Sequence, residues 1–520
     1  MAKYFVGLDV STQSCKIVII NSDEQILEFV DRVNYDKDLV HYGTEHGVIQ
    51  SDELGVSESN PLMWIEAVDE VFKKALEHGF PMDQIKAISV SGQQHGLVAI
   101  DSKGNLARST SKLWNDFSTQ EECDILTEKI GGKSRMIAET GNTQRTGYTA
   151  AKIYHMFRNE KENYDKTSIL FLVHNYINWY LTGGIAVMEP GDTSGTALWN
   201  PLTQDWSEEV LSCIDPGLKQ KLPKVKPSTK SIGNISKQLS DRFGFSPNCV
   251  IDAGCGDNMY GAIGTGNVKR GIVTVSLGTS GTAYTFMDKP YVDPAGEIAS
   301  FCDSTGNFMP LLCVSNLANG FDEFCRINNL TPKEFDKLID QTIPGNNGKI
   351  LVPWYEGERT PDIPNATPIY FGFSLDDFNQ KTLARSIIEG HLLNLYNGFQ
   401  SLPVVPEKIY LTGGLSQSPA WCQTIADIFS AKTTPIIGEG AALGAAIHAC
   451  WVWKNENGKN TKIEDLCDGF VKVNNSLSKT PRKEYVPVYD RLKKLYKSLS
   501  SRIQGNEGDD PFILHTALKR

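Results

Sequence analysis

A chain of 520 residues is too long for one ordinary domain, and 40% hydrophobic with 22% charged residues supplies material for two soluble cores. A formal net charge of -11 argues against a nucleic-acid surface or a binder of acidic membranes. No run of about 18 apolar residues occurs, the first apolar stretch meets Asp9 too soon for a signal peptide, and 11 scattered cysteines form no CxxC pair. Reduced thiols in a cytoplasmic protein are therefore expected.

The chain opens as a hairpin: strand Tyr4–Leu8, polar turn Asp9–Ser14, strand Lys16–Ile20. A helix is predicted over Pro61–Leu76, capped by Asn60, with Ile65, Val68, Val71, Phe72, Ala75 and Leu76 as its apolar face. Strands follow at Ile85–Val90 and Leu97–Ile100, separated by a glycine-bearing break at Ser91–Gly96. The pattern restarts at Cys249–Ala253, followed by Gly254–Asn258 and a second hairpin over Ile272–Phe286. Later come a helix at Lys381–Gln400, a strand at Lys408–Thr412, a helix at Pro419–Phe429, a strand at Thr434–Ile437 and a helix at Ala441–Cys450. Strands alternating with helices predict α/β layers, and the two hairpins suggest an architectural duplication. Residues 1–248, 249–454 and a charged extension 455–520, with a terminal helix at Tyr489–Ile503 and an exposed loop at Gln504–Asp510, are the expected divisions.

Three turns have the chemistry to hold phosphate. Gly7–Ser14 offers hydroxyls and backbone amides, and its Asp9 suits a hydrated Mg²⁺, which takes only one or two carboxylates. Ser276–Thr282 combines glycine with hydroxyls. Thr412–Ser416 precedes a helix and leaves bare backbone for a flat adenosine. Neither a P-loop nor a GxGxxG fingerprint is present. Singly, each turn is a weak signal. In this order they resemble the phosphate-1, phosphate-2 and adenosine elements of the actin, hexokinase and heat-shock chaperone ATPase superfamily. That resemblance implies an α/β, two-lobed actin-like (ribonuclease H-like) ATPase fold with a central cleft.

Further segments narrow the resemblance to the FGGY carbohydrate kinases, over about residues 3–453, and within them to the xylulokinase subgroup. They are Ser91–Gly96, Leu113–Asp116, Asn142–Tyr148 with Lys152, Glu189–Thr196, Gly254–Asp257, Gly357–Pro361, Leu411–Ser416 and Glu439–Gly444. The family implies ATP and Mg²⁺ and a small ketose, with D-xylulose the first choice over D-ribulose, L-ribulose or rhamnulose. Glycerol kinases place an Arg-Glu pair where Gln94 and His95 stand. The resemblance implies sugar contacts at Gln94, His95, Gly96, Trp114, Asn115 and Asp116. It implies nucleotide contacts at Thr12, Gln13, Gly278, Thr279, Ser280, Gly413, Gly414 and Ser418, a Mg²⁺ held through water by Asp9, and Asp257 as catalytic base. From the residue alone, Asp257 reads equally as a turn or helix-capping aspartate. Ser118 departs from the family, which carries Arg there. A homodimer is common among similar enzymes, and neither nucleic acid nor membrane is an expected partner. A reading of another class, an actin-like ATPase without sugar kinase activity, predicts a polymer or peptide-binding surface, and no segment supplies one.

Overall fold

The computed structural model describes residues 3–438 and 440–518; Glu439 of the last family segment lies outside them. The chain forms two compact units. The first contains residues 1–268, 287–309 and 438–471, and the second contains residues 269–286, 310–437 and 472–520.

The sheet of the first unit is built on β1 (Tyr4–Val10), β2 (Ser14–Asn21), β3 (Ile26–Asn34), β4 (Ile85–Gly92), β5 (Ser231–Asn234) and β6 (Val250–Asp252), in the order β5-β6-β4-β1-β2-β3. β1 runs antiparallel to β2 and parallel to β4, which puts Lys16 and Ser91 on either side of Asp9. Central strands covered on both faces need nearly continuous apolar residues, and Phe5, Val6, Leu8, Val10, Ile88 and Val90 are all fully buried. The expected boundary at 248/249 falls inside this unit, because β6 pairs parallel with β4 (Val250 with Ala87) and carries the following turn with it.

Helix Pro61–Glu77 packs on β2 and β3, and the Asn60 side chain accepts from the Leu62 N–H at its start. Its buried face is rotated from the expected one. Met63, Trp64 and Ala67 join Val68, Val71, Phe72 and Ala75 in the core, while Leu76 is exposed and Ile65 half-buried. The large Trp64 ring contributes more apolar area inside the core than Leu76 would. Helix Gly440–Glu456 lies on β1 and β4 and beside helix Asp257–Gly264. The approach is backbone on backbone. A Cβ on Gly7 would stand 2.0 Å from the Ala442 carbonyl oxygen, one on Gly264 2.1 Å from that of Gly440, and one on Gly444 1.9 Å from that of Tyr260.

The second unit repeats the pairing scheme with β7 (Ile272–Leu277), β8 (Gly281–Thr285), β9 (Phe308–Val314), β10 (Lys408–Thr412) and β11 (Lys432–Ile437). β7–β8 and β8–β9 are antiparallel, and β7–β10 and β10–β11 are parallel. The β1-β2-β3 and β1-β4-β6 pairings have the same senses, so the duplication expected from the two hairpins extends to five strands.

The carboxy-terminal segment is more ordered than its charged composition suggested. Helix Val486–Ile503 buries Tyr489, Leu492, Leu495, Tyr496 and Leu499, and loop 504–510 is exposed as expected. The Tyr489 hydroxyl donates to Glu389 Oε1 (2.8 Å) and the Tyr496 hydroxyl to Asn394 Oδ1 (3.0 Å), both on helix Gln380–Phe399. Arg482 donates through Nε (2.9 Å) and Nη2 (2.6 Å) to Oδ2 of the fully buried Asp427. Stripping the partner from a buried carboxylate costs several kcal/mol. Arg482 is itself 35% exposed, which trims the loss. Arg482→Ala is expected to lower stability by about 2–3 kcal/mol, read as an earlier chemical-denaturation midpoint; an unmoved midpoint would show that the extension is not an integral part of the second unit.

Candidate active site

Asp9 is the penultimate residue of β1, and Asp257 is the first residue of helix Asp257–Gly264. Ser91 Oγ donates to Asp9 Oδ1 at 2.8 Å. Burial holds the Asp9 carboxyl above the ordinary carboxylate range, against the Ser91 hydrogen bond and the charge of Lys16. Asp257 is pushed up to about 8, first by burial and then by the negative charges of Asp9 and Asp192. Its Oδ1 accepts from the Asn258 backbone N–H (2.9 Å) and from Asn258 Nδ2 (3.2 Å). A carboxylate beside two like charges is a strong proton acceptor. It is also a place where a cation would be welcome.

The Gln94–Gly96 turn leaves β4 beside this helix. Gln94 Oε1 accepts from Asn258 Nδ2 (2.7 Å), and Gln94 Nε2 donates to Asp192 Oδ1 (3.4 Å). Asp192 faces His174 Nδ1 at 3.1 Å, and Asn175 Nδ2 lies 2.7 Å from the other ring nitrogen. A chain of polar groups therefore runs from Asp257 through Asn258 and Gln94 to Asp192 and His174. His95 adopts a left-handed backbone (φ +66°), with its ring 4.8 Å from that of Tyr148. Gly96 fits because Val173 fills the space beside it, where a Cβ would come within 2.6 Å.

The first phosphate turn is tight: the Ser11 N–H and Oγ both donate to the Ser14 carbonyl (3.0 and 2.9 Å). Thr12 Oγ1 donates to Gln93 (3.1 Å) and accepts from Trp114 Nε1 (3.0 Å), while the Gln13 side chain is exposed. Trp114 is likewise exposed, and Asn115 Oδ1 accepts from Ser57 Oγ (2.8 Å). Asp116 is turned into the protein. It is completely buried, and its oxygens accept from the Ser57 N–H (2.9 Å), Ser118 Oγ (2.6 Å) and Lys112 Nζ (3.3 Å). These bonds brace Asp116, expected as a sugar contact, within its own loop. Lys112 Nζ also donates to Ser118 Oγ at 2.8 Å, so a cation stands beside position 118 although the residue there is Ser.

In the second unit, Gly413 (φ +85°) lies so close to Leu277 that a Cβ would meet the Leu277 carbonyl oxygen at 2.6 Å. The turn carrying Gly278, Thr279 and Ser280 and the Gly413-Gly414 turn therefore abut, as the parallel register of Ser276 with Thr412 requires. Carbonyls of Gly278 and Thr279 receive the Ala318 and Leu317 N–H groups, both at 3.1 Å, so that turn is pinned from behind. Nothing stands within 4 Å of a Cβ on Gly414, which leaves its backbone bare. Ser418 is the remaining residue expected to contact nucleotide. Its Oγ caps helix Pro419–Phe429 by accepting from the Trp421 N–H (3.2 Å) and donates to Asp336 (2.5 Å), so it serves the helix.

The N-terminal domain of the FGGY family of carbohydrate kinases matches residues 4–264, and its C-terminal domain matches residues 273–453. This chain belongs to the FGGY family of carbohydrate kinases. The junction of the two matches brackets the 268/269 boundary of the compact units, and Asp257 falls in the N-terminal family domain. A xylulose kinase of Haemophilus influenzae is 34% identical over 502 residues, covering 94% of this chain and 98% of its own. Among solved structures, a xylulose kinase from Lactobacillus acidophilus superposes with a TM-score of 0.86 at 23% identity, covering 96% of this chain and 98% of that one. A gluconate kinase from the same organism gives 0.85 at 23% identity, covering 97% and 98%. The fold is the actin-like α/β fold of these sugar kinases, and fold likeness alone does not choose the sugar.

Three features of this FGGY kinase escaped the sequence reading. Asn258 bridges Asp257 and Gln94, and its only signal was its place directly after the aspartate. The Asp192–His174 pair and the Lys112 cation had no local signal, because their partners lie on other elements. Asp257 also sets a pH-dependent stability. Its folded value of about 8 exceeds the ordinary 3.8, so stability from this group is fully present below the lower value and is lost as pH rises through the higher. Asp257→Asn removes that loss. The variant is expected to melt increasingly above the unaltered protein between pH 5 and pH 9, as read by thermal unfolding; a constant difference across that range would contradict the raised basicity.

Proposed function

We propose that this chain transfers the γ-phosphate of ATP to a ketopentose, D-xylulose to D-xylulose 5-phosphate ahead of other ketoses, in the cytoplasm. The observation that carries the substrate is the near full-length likeness to xylulose kinases, joined by Gln94 and His95 at the end of β4 where a glycerol-type site would carry Arg and Glu. Eleven free cysteines fit a reducing compartment, and no helix among the described residues is long and apolar enough to cross a membrane.

A sugar hydroxyl is a weak nucleophile until its proton has somewhere to go. Asp257 takes that proton as the hydroxyl oxygen forms its bond to the γ-phosphorus and the bond from phosphorus to the ADP oxygen breaks. Asn258 holds one Asp257 oxygen by two hydrogen bonds and so aims the carboxylate. Gln94, fixed at both ends of its amide by Asn258 and Asp192, and His95 orient the sugar. The Gly278–Ser280 and Gly413-Gly414 turns provide backbone for phosphate and adenosine. Asp9 fits a hydrated Mg²⁺: among the described residues no group of three or more His, Cys, Asp or Glu could hold a metal ion. Mg²⁺ keeps several waters and needs only one or two carboxylates besides phosphate oxygens. When bound, it neutralises phosphate charge.

Asp257→Ala is expected to lower turnover by about 10²–10⁴ in coupled ADP assays while nucleotide binding persists; near-normal turnover would remove Asp257 from the role of base. On a panel of D-xylulose, D-ribulose, L-ribulose, rhamnulose and glycerol, D-xylulose is expected to give the highest kcat/KM, and a higher value for another acceptor would reassign the substrate.

A further inference from the structure

Lys152 is one of the largest fully buried side chains in the molecule, with 1% of its surface exposed. An amine that deep is costly unless its hydrogens are used. It lies on helix Thr149–Asn159, and Nζ donates to two carbonyls, those of His95 and Gly147, each at 2.7 Å. Thr149 Oγ1 adds a third donor, 3.2 Å from the His95 carbonyl. Burial carries the Lys152 amine down to about 7. Its neutral form still has two hydrogens for two carbonyls, so the clamp survives on either side of that pH.

What the clamp joins is informative. His95 is left-handed, a strained conformation for a residue with a side chain, which persists only where its surroundings hold it. Beneath its ring, Gly195 leaves no room for a Cβ, which would stand 2.6 Å from His95 Cε1. The second carbonyl belongs to Gly147 (φ +87°), where a Cβ would come within 2.2 Å of the Trp114 carbonyl oxygen. The next residue, Tyr148, places its ring against that of His95. Lys152 thus ties the backbone of the His95 turn to a turn that rests on the Trp114 loop.

We propose that Lys152 is a positioning residue of the sugar site, which sets the His95 ring and the Trp114 loop in register by bonding the His95 and Gly147 carbonyls to one buried amine. The proposal rests on Gln94 and His95 receiving the sugar. It separates from a purely structural role because the clamp touches the sugar turn and bonds no residue of the phosphate turns.

Lys152→Met keeps the length and apolar stem and removes the donors. Its KM for D-xylulose is expected to rise about ten- to hundredfold, the scale of a misplaced binding group, with KM for MgATP within about twofold of the unaltered value. Thr149→Val removes only the longer bond and should raise the sugar KM about two- to fivefold; it decides the matter if Lys152→Met does not fold. An active Lys152→Met or a folded Thr149→Val with an unchanged sugar KM overturns this inference alone. An equal rise in both KM values also overturns it, in favour of general loosening. Absence of ketose-dependent ADP release from the unaltered protein overturns the sugar-kinase reading along with it.

Discussion

The close seating of helix Gly440–Glu456 is the constraint on which the rest of the first unit depends. Gly7, Gly264 and Gly444 each lie where a single added carbon would run into main chain. Such contact is rigid in a way that side-chain packing is not, because main chain cannot change rotamer to relieve it. Asp9 lies near the end of the strand on which the helix rests, and Asp257 begins the helix packed beside it. The separation of the two carboxyls is therefore set by backbone geometry. A polar tie supports the same arrangement: His448, on the seated helix, faces Asp252 at 2.8 Å through Nδ1 and the Ser304 carbonyl at 2.9 Å through Nε2, entirely out of water.

With that spacing fixed, electrostatics follows. Asp257 is flanked by like charges at Asp9 and Asp192 and has lost much of its hydration, so its carboxyl binds a proton far more tightly than a free aspartate. A group asked to accept a proton from a sugar hydroxyl benefits from that. Nearby, the opposite arrangement prevails at Asp116, where Lys112 and Ser118 satisfy a buried carboxylate. Two aspartates near the same turns thus differ in their surroundings, and their hydrogen-bond partners tell them apart.

Much of this was legible in the sequence, and the failures share a cause. Strand Lys408–Thr412 and helix Pro419–Phe429 match the expectation to the residue because Pro and Gly punctuate both. The hairpins were visible from their polar turns. The boundary at 248/249 was misplaced because Val250–Asp252 looks like any buried strand, and only its pairing with β4 reveals its sheet. The face of helix Pro61–Glu77 was rotated because periodicity marks a stripe without weighing Trp64 against Leu76. At the site, the family segments name residues, and only the fold shows which of their polar atoms the protein itself engages. Ser418 Oγ and the Asp116 carboxylate bond to groups within the protein, as the Gln94 amide does. Lys152 was legible as a family residue, and its work between two carbonyls became visible only when the chain folded.

In the proposed reaction Asp257 takes the proton of the phosphate-accepting hydroxyl. A crystal structure with D-xylulose and a non-hydrolysable ATP analogue tests it most directly. That hydroxyl is expected within about 2.6–3.2 Å of an Asp257 oxygen, with Gln94 and His95 on the sugar. A bound sugar whose accepting hydroxyl is hydrogen-bonded elsewhere, with Asp257 facing only Asn258, would contradict it.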